Sequence, residues 1–307
     1  MDIAYKTFLA ILETFIAFAI GAYLTRRKIV DQTGIAQLSN LTLDVLFPLM
    51  TIGSITRNFQ ASQLLEAWIL PVMGFAMMAF GMALGRLFSR IMRYGTAERR
   101  AMFQHFCTCN NYLFLPLIVL DNLWGDKYVS LLLLMNVGST IGFWTLGIAA
   151  FGGSSMRETL RNIFSVNLYA VIIALVLVAF GIQLPPLLGK VCLTMGNAAV
   201  PLVLIGIGAA IYNSAHRFGH HLFDVLYLSA VRLVLLPIAL IMLMKLLPLP
   251  QDIFRVLAVV SLMPVSSSSV LVARRYGGDM DFASQAIVIT TILSIVTAPL
   301  MLKLLAC

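Results

Sequence analysis

The chain contains 307 residues, of which 60% are hydrophobic and only 11% are charged. A soluble domain carries about 25% charged residues, so this composition excludes a water-soluble globular protein and indicates a chain embedded in the lipid bilayer. The formal net charge of +8 does not indicate a nucleic-acid-binding protein, because the basic residues lie singly or in short clusters between hydrophobic segments.

Apolar segments of about 20 residues, the length needed to cross a bilayer, recur along the whole chain. The first extends from about Phe8 and leads into Arg26, Arg27 and Lys28 instead of a small-residue cleavage site. We therefore interpret it as a retained helix and not as a signal peptide. The hydrophobic pattern predicts an all-α protein with ten membrane spans, at residues 3–25, 34–55, 66–88, 100–120, 127–150, 163–182, 190–212, 223–247, 253–275 and 281–305.

The basic residues are distributed unequally between the two sets of alternating connections. One set holds 13 Lys and Arg residues and the other holds seven, while Arg232 lies inside the eighth span. Because excess positive charge marks the cytoplasmic side, both termini are expected outside the cytoplasm, in a protein of the cell membrane. The larger set is Arg26, Arg27, Lys28, Arg86, Arg90, Arg93, Arg99, Arg100, Arg157, Arg161, Arg217, Arg274 and Arg275. The smaller set is Lys6, Arg57, Lys127, Lys190, Lys245, Arg255 and Lys303.

The two halves of the chain share sequence landmarks. The segment PLMTIG from Pro48 matches PLVLIG from Pro201, 153 residues later, and the same offset relates Gly125-Asp126 to Gly278-Asp279. Each half contains an odd number of spans, so the second half would enter the membrane in the opposite orientation to the first. The matches predict two inverted repeats, residues 1–151 with spans 1–5 and residues 152–307 with spans 6–10.

The fourth and ninth predicted spans are each interrupted by polar residues beside proline. A broken helix persists in a bilayer only where protein or a water-filled cavity satisfies its backbone groups, and a matched pair of breaks indicates a transporter's substrate site. The N-terminus of each second half-helix would suit a small anion such as a carboxylate. The alternative is that Asn and Ser join helices and the prolines only kink them. The interrupting residues are Asn110, Asn111, Tyr112 and Pro116 in the fourth span, and Pro264, Ser266, Ser267, Ser268 and Ser269 in the ninth.

Three charged residues lie well inside predicted spans: Glu13, Asp44 and Arg232. Burial raises the pKa of a carboxyl group, so either acid could carry a coupling proton; alternatively each serves packing, for instance Asp44 bonded to Asn40. Neither break contains a carboxylate, the natural ligand of a sodium site. Arg232 would either attract an anionic substrate or form a fixed ion pair with Glu13 or Asp44.

The remaining candidate motifs predict no further chemistry. His216 and His220 are four residues apart but lie in a loop, so no metal site is predicted. Cys107 and Cys109 would point to different sides of a helix, which is typical of small buried residues. The sequence contains no nucleophile–base pair, phosphate-binding loop or dinucleotide motif, and it therefore predicts neither an enzyme nor a cofactor.

These segments resemble the auxin efflux carrier family, which includes the plant PIN proteins and bacterial permeases often described as malonate or malate transporters. The resemblance covers essentially the full length, and the family shares its broader fold with bile acid:sodium symporters. It rests on the LPL motif at Leu115, the PL-x-x-IG segment at Pro201, Pro264 followed by VLVARRYGGD from Val270, TTILS from Thr290 and TAP from Thr297.

The resemblance implies two inverted repeats that cross at the fourth and ninth helices. It also implies a scaffold of spans 1, 2, 6 and 7, often the interface of a homodimer, and a moving transport part of spans 3–5 and 8–10. Asn110, Asn111 and Tyr112 match the substrate-binding crossover of the plant carriers. Serines replace the asparagine beside proline at the second crossover, and the long cytoplasmic loop is missing, so a bacterial short form is favoured over an auxin carrier.

The sequence thus predicts a secondary active or facilitative transporter of a small organic anion, a carboxylate such as malonate or malate or an auxin-like acid, working by elevator-type alternating access. A sodium-coupled organic anion symporter like the bile acid group is the nearest alternative. A channel or a membrane-bound sensor is the alternative from another class, and a channel would show conductance that does not saturate with substrate.

Overall fold

The computed structural model describes residues 3–214 and 222–306, and the regular secondary structure in these two ranges is entirely helical. His216 and His220 lie outside the described residues. The helices are α1 (Ile3–Arg26), α2 (Gln32–Leu41), α3 (Phe47–Asn58), α4 (Ala61–Ala67), α5 (Ile69–Ser89), α6 (Ala97–Thr108), α7 (Phe114–Trp124), α8 (Asp126–Gly142), α9 (Met156–Ile163), α10 (Val166–Ala179), α11 (Pro186–Asn197), α12 (Ala199–Ser214), α13 (Leu222–Ala230), α14 (Leu236–Lys245), α15 (Gln251–Ser261), α16 (Ser269–Tyr276) and α17 (Met280–Met301).

Seven helices in the described ranges are long and apolar enough to cross a membrane, and α9 with α10, bent by 52°, would make an eighth. The prediction of an all-α, multi-pass protein is therefore confirmed, with seven or eight of the ten predicted spans present as such helices. The predicted fourth and ninth spans are absent from this set because each is interrupted, between α6 and α7 and between α15 and α16. The seven are 5–26, 33–58, 61–89, 126–147, 186–213, 222–245 and 280–305.

Two of the spanning helices contain a π-helical turn just before a proline. Thr42–Leu46 precedes Pro48, and Val231–Leu235 precedes Pro237. Proline has no N–H to donate to the carbonyl four residues earlier, and its ring displaces that carbonyl; a wider turn accommodates both effects. Asp44 and Arg232, two of the three charged residues predicted inside spans, lie in these turns, and they are thereby displaced from the regular helical positions around them.

Helices α1 and α12 pack so closely that only glycine fits at two contact points. A Cβ atom on Gly21 would lie 2.0 Å from the carbonyl oxygen of Ile205, and one on Gly208 would lie 2.1 Å from that of Phe18. Small residues permit such close packing, which drives helix association in lipid through van der Waals contact. In the predicted scheme these helices belong to spans 1 and 7, so the contact would hold the scaffold together.

A second close contact of the same kind joins α5 and α8. A Cβ atom on Gly74 would lie 2.6 Å from the carbonyl oxygen of Met135, and one on Gly138 would lie 1.7 Å from that of Pro71. These helices correspond to predicted spans 3 and 5. Each of the two predicted parts of the molecule therefore contains its own glycine-mediated helix pair.

Replacing Gly208 by alanine is expected to destabilise the protein by about 1–3 kcal/mol, because the methyl group would force the α12 backbone away from α1. Gly206 on the same helix is a matched control, since its added Cβ would only meet the Ser39 hydroxyl at 3.8 Å. Thermal unfolding of both purified variants checks this prediction. Equal midpoints for Gly208→Ala and Gly206→Ala would contradict the close packing of α1 and α12.

Ion pairs tie several connections together at one end of the helix bundle. An Arg99 guanidinium nitrogen lies 2.8 Å from an Asp279 carboxylate oxygen, and Arg275 lies 2.6 Å from Glu158. The connections that follow α5, α8 and α16 therefore meet at this end. All three carry basic residues of the larger predicted set, so we refer to this end as the basic end.

A separate ion pair holds α8 to α15 at the opposite end. The Lys127 ammonium lies 2.6 Å from the Asp252 carboxylate, and Arg255 donates a hydrogen bond of 2.9 Å to the Tyr128 hydroxyl. The hydrogen bond from Lys127 lowers the pKa of Asp252 below its ordinary value, so this carboxylate stays ionised at neutral pH. The two ends of the bundle are thus cross-linked by different charged pairs.

Candidate functional site

The two helix breaks lie side by side in the interior of the protein. Asn110 and Val265 form an isolated antiparallel bridge, and the Asn111 N–H donates to the Pro264 carbonyl over 2.8 Å. The Ser266 N–H lies 3.5 Å from the Cys109 carbonyl. Backbone groups that the breaks release from helical pairing therefore find partners in each other, which is what irregular backbone in a membrane requires.

Asn111 is the residue of the fourth-span break that controls the start of α7. Its side-chain oxygen accepts hydrogen bonds from the N–H groups of Phe114 and Leu115, at 3.2 and 3.4 Å. Since backbone N–H groups only donate, this contact assigns the oxygen to the helix and turns the side-chain NH₂ away from it. Asn111 therefore caps α7 and still offers two N–H donors to a ligand.

Asn110 has a structural role instead. Its side-chain NH₂ donates to the carbonyl of Val260 in the last turn of α15, and its side chain is 5% exposed. This contact ties the first break to the helix that precedes the second. The structure therefore places Asn111 at the cavity described next and directs Asn110 into the protein interior.

A cavity of about 310 Å³ lies where the two breaks face α8 and the beginning of α10; we name it the break cavity. Most of its polar lining consists of amides and hydroxyls, which hydrogen-bond a ligand without carrying charge. It lies toward the basic end, since Ser165 follows α9, the helix that pairs with Arg275. Its lining residues are Leu43, Asp44, Phe47, Asn111, Tyr112, Leu113, Phe114, Asn136, Thr140, Trp144, Asn162, Ser165, Val166, Asn167, Ser266 and Ser268.

The four serines of the ninth-span break are divided between different surroundings. Ser266 and Ser268 line the break cavity together with Tyr112. Ser267 lines a separate, smaller cavity beside α12 and α17. Ser269 is fully buried at the first residue of α16, where its hydroxyl lies 2.9 Å from a ring nitrogen of His105.

His105 connects three parts of the structure from a fully buried position in α6. Its Nδ1 lies 2.8 Å from the carbonyl oxygen of Gly147, and its Nε2 lies 2.9 Å from the Ser269 hydroxyl. A carbonyl oxygen only accepts, so Nδ1 carries the proton and Nε2 accepts from Ser269 in the neutral ring. The histidine thereby connects α6 to both the turn that follows α8 and the start of α16.

The two prolines contribute to the breaks in different ways. Pro116 lies in the first turn of α7, where a missing N–H costs no helical hydrogen bond. Pro264 lies between α15 and α16, and its carbonyl receives the Asn111 N–H. One proline therefore starts a helix, while the other stays in the extended segment that pairs the breaks.

Arg232 supports the second break from the π-helical turn that precedes Pro237. Its guanidinium donates to the carbonyls of Met263 and Ser261, at 3.3 and 3.2 Å, and the residue is 3% exposed. These carbonyls lie at the C-terminal end of α15, where a helix carries partial negative charge. Arg232 does not line the break cavity, and no carboxylate pairs with it within the described residues.

The two candidate proton-carrying acids occupy different places. Asp44 lines the break cavity, whereas Glu13 lines a second cavity of about 370 Å³ toward the opposite end, together with Asp121 and Asp126. The proposed ion pairs of Arg232 with Glu13 or Asp44 are absent from the described part of the chain. The proposed hydrogen bond between Asp44 and Asn40 is also absent there, because the π-helical turn displaces Asp44 from the regular i, i+4 position.

Three asparagines on other helices belong to the cavity wall although the sequence did not single them out: Asn136, Asn162 and Asn167. Asn136 and Thr140 lie on α8, and Trp144 follows in the π-helical turn after it (Phe143–Gly147). Asn162 lies at the end of α9, and Asn167 lies at the start of α10. An Asn and a Thr four residues apart on one face of an apolar helix form a polar stripe, and that stripe was the available signal. Asn162 had no comparable signal, because its segment reads as an ordinary polar connection.

A compact polar network joins α3 to α8 beside the second cavity. The Asp126 carboxylate accepts hydrogen bonds of 2.7 Å from both the Ser54 hydroxyl and the Asn58 amide, and Ser130 completes the network at 2.8 Å from Ser54. The Ser54 and Ser130 side chains are completely buried. We refer to these four residues as the α3–α8 network.

Cys107 and Cys109 are buried free thiols, as predicted for small buried residues. In the described part of the chain, no group of three or more His, Cys, Asp or Glu residues is arranged to hold a metal ion. The polar side chains that line the break cavity are amides, hydroxyls, the Trp144 indole and one carboxylate.

Known proteins share this sequence over most of its length. An uncharacterized transporter of Methanocaldococcus jannaschii is 24% identical over 270 residues, covering 86% of this chain and 87% of that protein. An uncharacterized transporter of Methanothermobacter thermautotrophicus is 26% identical over 190 residues, covering 61% of this chain and 62% of that protein. The family described as membrane transport protein, of the auxin efflux carrier type, matches residues 7–302. The chain is therefore a multi-pass membrane transporter that belongs to this family.

Proposed function

We propose that the protein is a secondary active or facilitative transporter of a small organic anion, a carboxylate, and that the break cavity is its binding site. The observation that carries this proposal is the position of Asn111. Its side chain caps α7 and lines the cavity, so its free NH₂ group lies beside the positive end of a helix. A carboxylate placed there would meet amide donors and a favourable dipole.

The proposed movement is an elevator-type slide of the transport part against the scaffold. We propose the ten-span arrangement with two inverted repeats, residues 1–151 and 152–307, a scaffold of spans 1, 2, 6 and 7, and a transport part of spans 3–5 and 8–10. The tight glycine contacts fall within these two parts, at α1–α12 and at α5–α8. The break cavity and the second cavity both lie between the parts, which supports a boundary along which they move.

The α3–α8 network crosses that boundary, so it has to open when the transport part moves. Replacing Asp126 by alanine is expected to shift the population away from the conformation described here, since two hydrogen bonds to a charged group are lost, each contributing about 1.5–3 kcal/mol. The accessibility of a cysteine placed at Ser165, in a background without Cys192 and Cys307, reports this shift. Labelling of this cysteine by a thiol reagent added on the side of the basic end should decrease.

Asp252→Ala is the matched control for this experiment. It removes a carboxylate at the same end of the bundle, but its partner Lys127 lies in the same proposed part, so the control should leave Ser165→Cys labelling unchanged. Unchanged labelling in Asp126→Ala as well would contradict a boundary between α3 and α8.

We also propose the cell membrane as the location, with the basic end in the cytoplasm and both termini outside. A homodimer through the scaffold is supported by apolar side chains that α1 and α10 leave exposed, among them Ile16 and Tyr169. For ion coupling, Asp44 is the better placed of the two acids, because it lines the break cavity and Glu13 does not.

Uptake of radiolabelled carboxylates into vesicles containing the purified protein tests the proposal. We expect uptake that saturates with substrate concentration, and counterflow when the vesicles are preloaded. Uptake that proceeds without sodium would favour this transporter over a sodium-coupled symporter. Conductance without saturation would instead identify a channel, and binding without uptake would identify a sensor.

A further inference from the structure

We propose that the carried molecule has a single carboxylate and, close to it, a hydrogen-bond donor such as a hydroxyl or an ammonium group, and that dicarboxylates are poor substrates. This inference rests on the proposed function, in which the break cavity binds a carboxylate. It narrows the substrate class from small carboxylates in general to short monocarboxylates that carry a donor group.

The charge of the cavity wall excludes a favourable place for a second carboxylate. None of the described residues that line the cavity is Lys, Arg or His, and Asp44 contributes a carboxylate of its own. Arg232, a nearby cation of the breaks, directs its guanidinium to the carbonyls of Ser261 and Met263. A dianion would therefore face one like charge without a cation to compensate it.

The wall also contains a buried acceptor that the protein itself leaves without a partner. Asn136 is 4% exposed and lines the cavity, and its side-chain oxygen has no hydrogen-bond partner in the described structure. Buried polar atoms are nearly always hydrogen-bonded, so an unpaired one on a residue that lines a cavity points to a ligand group that completes it. An oxygen acceptor requires a donor, and a second carboxylate has none to offer.

A buried donor in the wall of the same cavity complements this acceptor. The side-chain nitrogen of Asn162 is likewise buried without a partner, and Asn162 lines the same cavity. Together with the NH₂ of Asn111 it supplies donors for one carboxylate, while Asn136 and Asp44 supply acceptors for one donor group. The volume of about 310 Å³ lies at the lower end of the range for ligand sites, which fits a short acid.

Binding of four matched probes to the purified full-length protein tests this inference at neutral pH. Propionate carries one carboxylate, lactate adds a hydroxyl, alanine adds an ammonium group, and malonate adds a second carboxylate on a similar carbon chain. We expect lactate or alanine to bind at least tenfold more tightly than propionate, and malonate to bind most weakly. The tighter of the two donor-bearing probes identifies the donor as hydroxyl or ammonium.

Two cavity variants and one control variant connect the order of probe affinities to particular residues. Asn136→Leu should reduce the affinity for the preferred donor-bearing probe to that for propionate, whereas Asn122→Leu, a control outside the break cavity, should preserve the ranking. Asp44→Asn should raise the affinity for malonate. The order of affinities of the four probes for the unaltered protein tests the inference even if Asn136→Leu does not fold.

Three outcomes would overturn the inference and leave the proposed function standing: malonate binding as tightly as lactate and alanine, propionate binding as tightly as both, or Asn136→Leu retaining the wild-type ratio. Absence of binding by all four probes, together with absence of carboxylate uptake in vesicles, would instead overturn the proposed function itself.

Discussion

Replacing Asn111 by leucine is expected to lower carboxylate affinity by about tenfold to a hundredfold. The variant loses the NH₂ donors that face the break cavity, and a hydrogen bond to a charged group contributes about 1.5–3 kcal/mol. It also loses the cap on α7, which contributes about 1 kcal/mol to stability. Titration of the purified variant with the tightest-binding carboxylate measures the first effect, and thermal unfolding measures the second.

Asn111→Asp separates the two roles of this residue. Aspartate is an effective cap, so its carboxylate should still accept from the N–H groups of Phe114 and Leu115 and keep α7 intact. It offers no donor and adds a negative charge to the cavity, so carboxylate binding should be lost. A variant that binds as tightly as the unaltered protein would remove Asn111 from the binding site.

Replacing Arg232 by leucine is expected to destabilise the protein by about 2 kcal/mol or more. The carbonyls of Ser261 and Met263 would lose their donor in a buried environment, at about 1–3 kcal/mol each. Removal of a buried charge offsets part of this loss, because the guanidinium no longer has to be desolvated. The net effect should be destabilising, because the positive charge of Arg232 lies at the C-terminal end of α15, where it is favourable.

The thermal midpoint of Arg232→Leu should fall by several degrees, and Arg232→Lys should lie between it and the unaltered protein, because lysine keeps the charge without the planar fork of donors. These measurements also separate the two interpretations of this residue. If Arg232 attracted the substrate, Arg232→Leu would keep its thermal midpoint and lose carboxylate binding.

The sequence located the breaks correctly but did not distinguish neighbouring residues within them. Asn110 and Asn111 are adjacent and chemically identical, yet one bonds α15 and the other caps α7 and lines the cavity. Successive side chains of extended backbone point to opposite sides, and only the packing around the break decides which side is the cavity. Ser268 and Ser269 also have different surroundings, the break cavity and His105, although their backbone is already helical; there the two side chains lie about 100° apart around the helix axis.

The sequence also identified the charged residues inside the spans, but it did not predict which groups they contact. The composition identified Asp44 and Arg232 as costly groups that require an explanation. Both lie in π-helical turns that shortly precede Pro48 and Pro237, and a π-helical turn alters the direction of the side chains within it. Of the two alternatives for Arg232, the ion pair with Glu13 or Asp44 is absent from the described residues: Arg232 bonds to backbone carbonyls, and Asp44 lines the cavity.

The sequence by itself determined the membrane setting, the helical class, the family and the two interrupted segments. Hydrophobicity and proline act locally along the chain, so they are readable without coordinates. Only the tertiary structure decided which side chains share the break cavity. Asn111, Asn136, Asn162 and Ser266 come from four separate segments, and their meeting depends on how the helices pack, which no local pattern encodes.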